Sequence, residues 1–369
     1  MKKNYIEIKN ESLVFAFDNL GEDEKFTINF NRTLRIPDDN KKYSLPPGLG
    51  HFPLAHTEDY ASKVPSQWNE HGGIFFPMYQ AEAMWMGFRS STGRPFAVKI
   101  ASGKVNAVSG EQWTNTLNGK TKSDDNFRRI NKDQNSQKPD YLVCPSQPWL
   151  DGFNVGKGVI RQFVAVPLDS GYTVEEQVTG KAEHGGIQIM VYPMKESEWQ
   201  KIKPVLRERE RGFGGGFVGA MSSDSFPQAK AMRSLVASSA AKPDMGMGAG
   251  GMMTQEIYED KYGVDVWDAE NSLRIFVHLA NSEQYLAITG KNPPTKPFTK
   301  EHYASYNYPW FEYYSQEIAL DGSSILSKVD SIASMQEKKN ETILPDDGMK
   351  PKYPPIMLGK KVVKDGEKW

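Results

Sequence analysis

The sequence predicts an α+β fold, strand-dominated, with mostly antiparallel sheets, a few short helices and one longer C-terminal helix. Three observations predict it. Short runs of β-branched and aromatic residues recur between Asn, Asp, Gly and Pro. One strand, short helix, strand unit stands near the middle of the chain. One apolar stripe at helical spacing stands near its end.

Tyr5-Ile-Glu-Ile, Leu13-Val-Phe-Ala-Phe and Phe26-Thr-Ile-Asn-Phe read as strands, being partly alternating and bounded by turn formers. Ser44 to Pro53 holds three prolines and two glycines, which exclude helix and central strand and leave a loop. Phe75 opens as a strand, and Gln80-Ala-Glu-Ala-Met-Trp-Met reads as a short helix. Pro95-Phe-Ala-Val-Lys-Ile and Lys104-Val-Asn-Ala-Val read as a hairpin through Ala101-Ser-Gly. From Thr114 to Pro139 only Leu117, Phe127 and Ile130 are large and apolar, too little to order the segment, so an exposed insertion is expected.

Val159 to Val166 is a strand. Thr173-Val-Glu-Glu is a capping box, with Thr173 as N-cap and Glu176 three residues on, opening a helix that Gly180 ends. Gly186 to Tyr192 is the next strand. Between Arg207 and Thr254 glycine and small residues dominate and predict low order. Leu273 to Leu279 is a strand, and Ser282 to Ile288 a short helix stopped by Gly290. From Ser323 to Met335, the residues Ile325, Leu326, Val329, Ile332 and Met335 share one helical face.

A chain of 369 residues is long for one core, so division is expected. Residues 1–206 form a β-rich domain with the polar insertion 114–139, and 207–254 a Gly/Ser/Met-rich linker or long loop. Residues 255–335 form a smaller α/β domain and 336–369 a surface tail. The formal charge of −1 gives no field to draw the chain to nucleic acid or an anionic membrane. Aromatics at 11% supply a core. The single cysteine, Cys144, excludes an intramolecular disulfide and a cysteine-based zinc cage. No apolar run reaches the length of a membrane span, and the charged start is not a signal peptide, so a cytoplasmic location is expected.

One motif occurs twice. Glu70-His-Gly-Gly-Ile recurs as Glu183-His-Gly-Gly-Ile, 113 positions on. Five identical residues fit a duplication, but the flanking sequence does not extend the match, and chance or common strand-entry chemistry explains it too.

Several groupings could carry chemistry. His51, His56 and His71 lie within 21 residues, beside Asp59 and Glu70. Imidazole with carboxylate suits a divalent transition metal, with Glu70 or Asp59 as base. Against this, a spacing of five suits neither a helix face nor a strand face, and His-Glu-x-x-His is absent. Glu175 and Glu176 open a helix, where negative charge is favoured without any catalytic role. Gly246-x-Gly-x-Gly-Gly lacks the strand and helix that a nucleotide loop requires. Met245, Met247, Met252 and Met253 read as a docking loop rather than a copper site. No Gly-x-Ser-x-Gly elbow occurs, and Cys144 reads as a small buried hydrophobe. Tyr303 to Tyr314 puts seven rings in twelve residues without a Lys or Arg, which argues against nucleic-acid stacking. Trp149, Tyr308, Trp310, Phe311 and Tyr313 are the candidate binding residues, for a protein or a glycan. The competing reading is a clasp within the molecule.

Six runs, Val159-Ile-Arg-Gln-Phe-Val-Ala, Gly171 to Gly180, Gln255-Glu-Ile-Tyr-Glu-Asp, Val277-His-Leu-Ala-Asn-Ser, Ala287-Ile-Thr-Gly and Pro309-Trp-Phe-Glu-Tyr-Tyr, resemble a family of uncharacterised bacterial and fungal proteins of similar length. The resemblance covers roughly 45–115 and 140–325. It implies no activity and no site residues, only that the Gly/Met-rich stretch belongs inside one architecture. The expected function is therefore a binding or self-assembling protein without intrinsic catalysis or cofactor, partnered by itself or another protein. The alternatives are a metal-assisted hydrolase at His51, His56 and His71, or carbohydrate binding through Trp149 and Trp310.

Overall fold

Period-two burial sets the architecture. In Lys25–Thr33 the side chains of Phe26, Ile28 and Phe30 alternate with partly exposed neighbours and have no solvent contact. The computed structural model describes residues 3–46, 48–80, 82–121, 138–212, 244–293, 310–315, 317–341 and 356–359. Along these the strands are β1 (Tyr5–Lys9), β2 (Ser12–Ala16), β3 (Lys25–Thr33), β4 (Lys42–Tyr43), β5 (Gly48–His51), β6 (Ala55–His56), β7 (Ile74–Pro77), β8 (Ala83–Ser90), β9 (Phe96–Ser102) and β10 (Val105–Asn106). They continue with β11 (Leu142–Cys144), β12 (Trp149–Leu150), β13 (Gly152–Gly156), β14 (Val159–Pro167), β15 (Ile187–Pro193), β16 (Met245–Thr254), β17 (Leu273–Ala280), β18 (Phe311–Tyr314) and β19 (Ile356–Gly359). The helices are α1 (Ser66–His71), α2 (Val174–Thr179), α3 (Glu196–Gly212), α4 (Ser282–Thr289) and α5 (Ile332–Lys339).

The first sheet runs β1-β2-β3-β8-β14-β16-β4, with β5 on β3, β12 on β8 and β13 on β14. The second runs β10-β9-β15-β17-β7-β6, with β11 on β9. Pairing is mostly antiparallel, but β4 on β16 and β7 on β17 are parallel, so the sheets are mixed. Aromatic rings join them face to face: Phe26 of β3 lies 5.0 Å from Phe96 of β9, and Phe30 of β3 lies 5.1 Å from Phe76 of β7. Each such ring contributes roughly 2–3 kcal/mol through burial.

The chain is thus strand-dominated α+β, but its organisation departs from the expected domains. Strand β16 lies inside the first sheet, and β17 lies between β15 and β7 in the second. Ile257, Ile275, Val277 and Leu326 belong to the same apolar cluster as Phe26 and Phe96, so 255–335 shares its core with 1–206. The two strands of the central strand–helix–strand unit, β14 and β15, belong to different sheets.

Residues 245–254, expected in the linker, form the ten-residue β16. Glycine there permits close approach of other chain segments: a Cβ on Gly251 would stand 2.2 Å from the Pro37 carbonyl oxygen. Met245, Met247 and Met253 of this strand are core side chains. Ala83 to Met86, expected in a helix, instead begin β8, paired with β3. The expected helix from Ser323 to Met335 is broken. A single 3₁₀ turn covers Leu326–Lys328, and α5 starts only at Ile332. The first ends at Val329, which is extended, and Ser331 caps the second, accepting from the Ser334 amide at 3.2 Å in an extended conformation. The capping box at Thr173 and Glu176 is present with both reciprocal bonds.

Of the polar insertion, residues 122–137 lie outside the described residues. Its start is fastened to β9. Lys99 Nζ donates to Thr116 O at 2.6 Å, Thr114 Oγ1 at 3.1 Å and Asp140 Oδ2 at 2.6 Å, and this ion pair is buried. No helix among the described residues is long and apolar enough to cross a membrane.

Asp151, between β12 and β13, is fully enclosed. Its amide donates to Gln255 Oε1 at 3.0 Å, but its carboxylate Oδ2 has no hydrogen-bond partner among the described residues. Burial raises its pKa to about 7. The folded state therefore holds this proton more tightly than the unfolded chain. The resulting stability is complete below about pH 4 and is lost as pH rises through 7, by up to about 4 kcal/mol. Asp151→Asn is predicted to flatten that slope. Urea unfolding at pH 5 and pH 8 should show the variant gaining more on the wild type at the higher pH.

Candidate functional site

The two Glu-His-Gly-Gly-Ile motifs meet on the second sheet. Ile74 of β7 and Ile187 of β15 both stand opposite Val277 of β17, one on each side. Strand β7 then runs parallel to β17 and β15 antiparallel, so the two motifs enter at one level and leave in opposite directions. A double glycine makes that entry possible. A Cβ on Gly73 would lie 2.1 Å from the Phe276 carbonyl oxygen, and one on Gly186 would lie 2.5 Å from that of Val277. Both glycines also have positive φ, +98° and +59°. The loops are tied directly, because Gln67 Nε2 of α1 donates to Glu183 O at 2.5 Å.

This entry places the two histidines on the outer face of the sheet. His71 Nε2 lies 3.3 Å from His184 Nδ1, with ring centroids 5.3 Å apart. Beneath them the outward side chains of β17 form a row of flat groups. Trp113 covers the Arg274 guanidinium at 5.4 Å, and that guanidinium lies 4.7 Å from the Phe276 ring centre. His71 stacks on Phe276 at 4.6 Å and 17°. Farther along β17, His278 stacks on Trp68 at 4.8 Å and 14°.

The groups differ in their electrostatic surroundings. His278 donates from Nε2 to the Gly72 carbonyl oxygen at 2.9 Å, and burial lowers its pKa to about 4, so it is neutral and structural. Burial, and after it the Lys104 charge, holds the His184 pKa below the usual imidazole range. Glu175, expected only to favour its helix terminus, accepts from the amides of Gly185 at 2.9 Å and Lys104 at 3.1 Å. It thereby fixes the second motif to the end of β9, while burial raises its pKa. Glu183 bonds both Lys104 and Lys181, and the bond from Lys104, then that from Lys181, lowers its pKa to about 2. Arg274 donates to Asn115 Oδ1 at 3.2 Å and to Gln188 Oε1, and has no ion pair among the described residues.

The residues singled out from sequence are distributed otherwise. His51 lies in β5 on the first sheet and His56 in β6 at the edge of the second; only His71 reaches this site. Among the described residues no three His, Cys, Asp or Glu side chains are grouped to hold a metal ion, so the three-histidine centre does not assemble. Glu70 and Asp59 are exposed rather than set in a cleft. No serine, threonine or cysteine side chain is hydrogen-bonded to His71, His184 or His278 among the described residues. Cys144 is buried, and burial raises its pKa well above the ordinary thiol value.

The aromatic run behaves as a clasp where it is described. Phe311 exchanges both backbone hydrogen bonds with Leu45, and β18 pairs with β19. Trp310 and Trp149 are only 3% and 6% exposed, so neither offers a free face to a sugar. Tyr313 meets Trp149 edge-on at 4.8 Å, Phe311 is half-buried, and Tyr308 lies outside the described residues.

Sequence reasoning missed His184, Arg274, Phe276 and His278. The repeated pentapeptide was the one signal that could have found His184. In comparisons with known protein families, curated proteins and solved structures, none matches this chain, so the resemblance described above adds nothing to the site.

The glycine geometry makes a discriminating prediction. Gly73→Ala should cost about 3 kcal/mol or more, because a Cβ there meets backbone. Gly290→Ala, in the ordinary left-handed region at φ +70° and ψ 6° with nothing within 4 Å, should cost only about 1 kcal/mol. Urea unfolding of the two variants checks the difference.

Proposed function

We propose that this chain is a binding protein, working without bond-making chemistry of its own, whose recognition surface is the outer face of the second sheet around Arg274. The partner is a protein segment bearing carboxylate side chains.

One observation carries this reading. Arg274 is exposed, its guanidinium is fixed between Trp113 and Phe276, it donates to two neutral amide oxygens, and no carboxylate answers it among the described residues. A guanidinium oriented by rings and amides retains N–H donors for a planar carboxylate, which it binds in bidentate fashion. Nearby, Lys104 and Lys181 share the carboxylate of Glu183. Aromatic rings beside an arginine are the residue types that dominate binding energy at protein interfaces.

The test is titration of wild type and Arg274→Ala with a hexaglutamate peptide and, separately, with inorganic phosphate, read by calorimetry. Peptide binding should weaken at least tenfold in the variant, and should fall with added salt. Lys261→Ala, whose ion pair with Glu317 is elsewhere on the surface, should bind as wild type. Absence of peptide binding by wild type, or equal binding by Arg274→Ala, would refute the reading. Binding of phosphate alone would replace the acidic segment with a small anion.

A further inference from the structure

We infer that His71 and His184 together bind one divalent transition-metal ion, through His71 Nε2 and His184 Nδ1, on the surface where the two repeated motifs meet. This is a different constellation from the three histidines grouped in the sequence, and it stands independently of the anion proposed for Arg274.

The geometry carries the inference. Zinc–imidazole bonds are about 2.0–2.1 Å, and two of them at a tetrahedral angle put the donor nitrogens about 3.3–3.4 Å apart. The same arrangement puts the ring centres about 5.2 Å apart. The structure has 3.3 Å and 5.3 Å.

Groups other than the opposing imidazole orient each ring. Phe276 lies flat against His71, at 17° and 4.6 Å. The His184 backbone is held by Glu175, which accepts from the His184 amide at 3.4 Å and the Gly185 amide at 2.9 Å. The nitrogen of His184 turned away from His71 faces the Glu183 carboxylate at 3.8 Å. Both rings are partly exposed, so the remaining coordination positions are open to water or to an incoming ligand. An all-imidazole donor pair selects zinc, copper(II) or nickel(II) over magnesium and calcium, which take oxygen. Such an ion would staple α1 and β7 to the loop before β15.

The experiment uses the untagged full-length chain, freed of metal with chelator and dialysed. Zinc chloride is titrated by calorimetry, and copper(II) is followed by electron paramagnetic resonance. Expected are one equivalent of zinc bound in the micromolar range, a copper spectrum with two nitrogen donors, and a rise in thermal midpoint on adding zinc. His71→Gln and His184→Gln should each lose at least tenfold in affinity and lose the zinc-dependent rise. Their midpoints without metal, compared with wild type, report folding separately. His51→Gln and His56→Gln should bind as wild type. If wild type takes up no metal, or if uptake survives both His71→Gln and His184→Gln, the contact is an imidazole–imidazole hydrogen bond only and the inference is wrong.

Discussion

The backbone of β17 at Phe276 and Val277 is approached from both sides more closely than any side chain permits. Gly73 and Gly186 make that approach, and a methyl group on either would enter a β17 carbonyl oxygen. Each glycine pays for a left-handed conformation in entropy, and the return is two strands that begin at the same residue level. From that shared level follow the position of both histidines, the covering of Phe276 and the exposure of Arg274. The outer face is therefore arranged by a backbone constraint rather than by side-chain attraction.

The two faces of the second sheet separate the core from the outer row of flat and cationic groups. Inward, Ile275, Val277 and Leu279 of β17 join the aromatic seam with the first sheet. Outward, Arg274, Phe276 and His278 alternate with them, as the period of two requires. A one-residue slip of β17 would exchange the sets and bury a guanidinium in the core. Correct register is thus enforced by the core, and the outer face inherits its order at little cost. The buried Lys99–Asp140 pair fastens the segment that brings Trp113 and Asn115 over Arg274.

The strands were legible where alternation was strong, as in Phe26-Thr-Ile-Asn-Phe, Val159 to Val166 and Leu273 to Leu279. Strand β16 was not legible, because Met-Gly-Met-Gly-Ala-Gly-Gly has low strand propensity and the reason for its glycines is the backbone passing over it. Gln80 to Met86 misled in the opposite sense: helix-forming residues were overridden by pairing with β3. The C-terminal stripe had the right apolar spacing, but Ser331 supplied a local cap that the spacing did not weigh. At the site, repetition of the pentapeptide was visible. Its convergence required the order β15-β17-β7, a nonlocal pairing that periodicity does not encode. Arg274 and Phe276 appeared only as members of a strand, and their roles come from neighbours far away in the chain, such as Gln188, 86 residues off, and Asn115, 159 residues off.

The measurement closest to the central claim is proton–proton distance contact at β17, from nuclear Overhauser spectra of the chain with ring-labelled histidine and phenylalanine. Expected are cross-peaks from the His71 ring to both the Phe276 and His184 rings, assigned by single substitution. A spectrum in which the His71 ring protons contact neither would contradict the convergence of the two motifs, and with it the arrangement of the face they define.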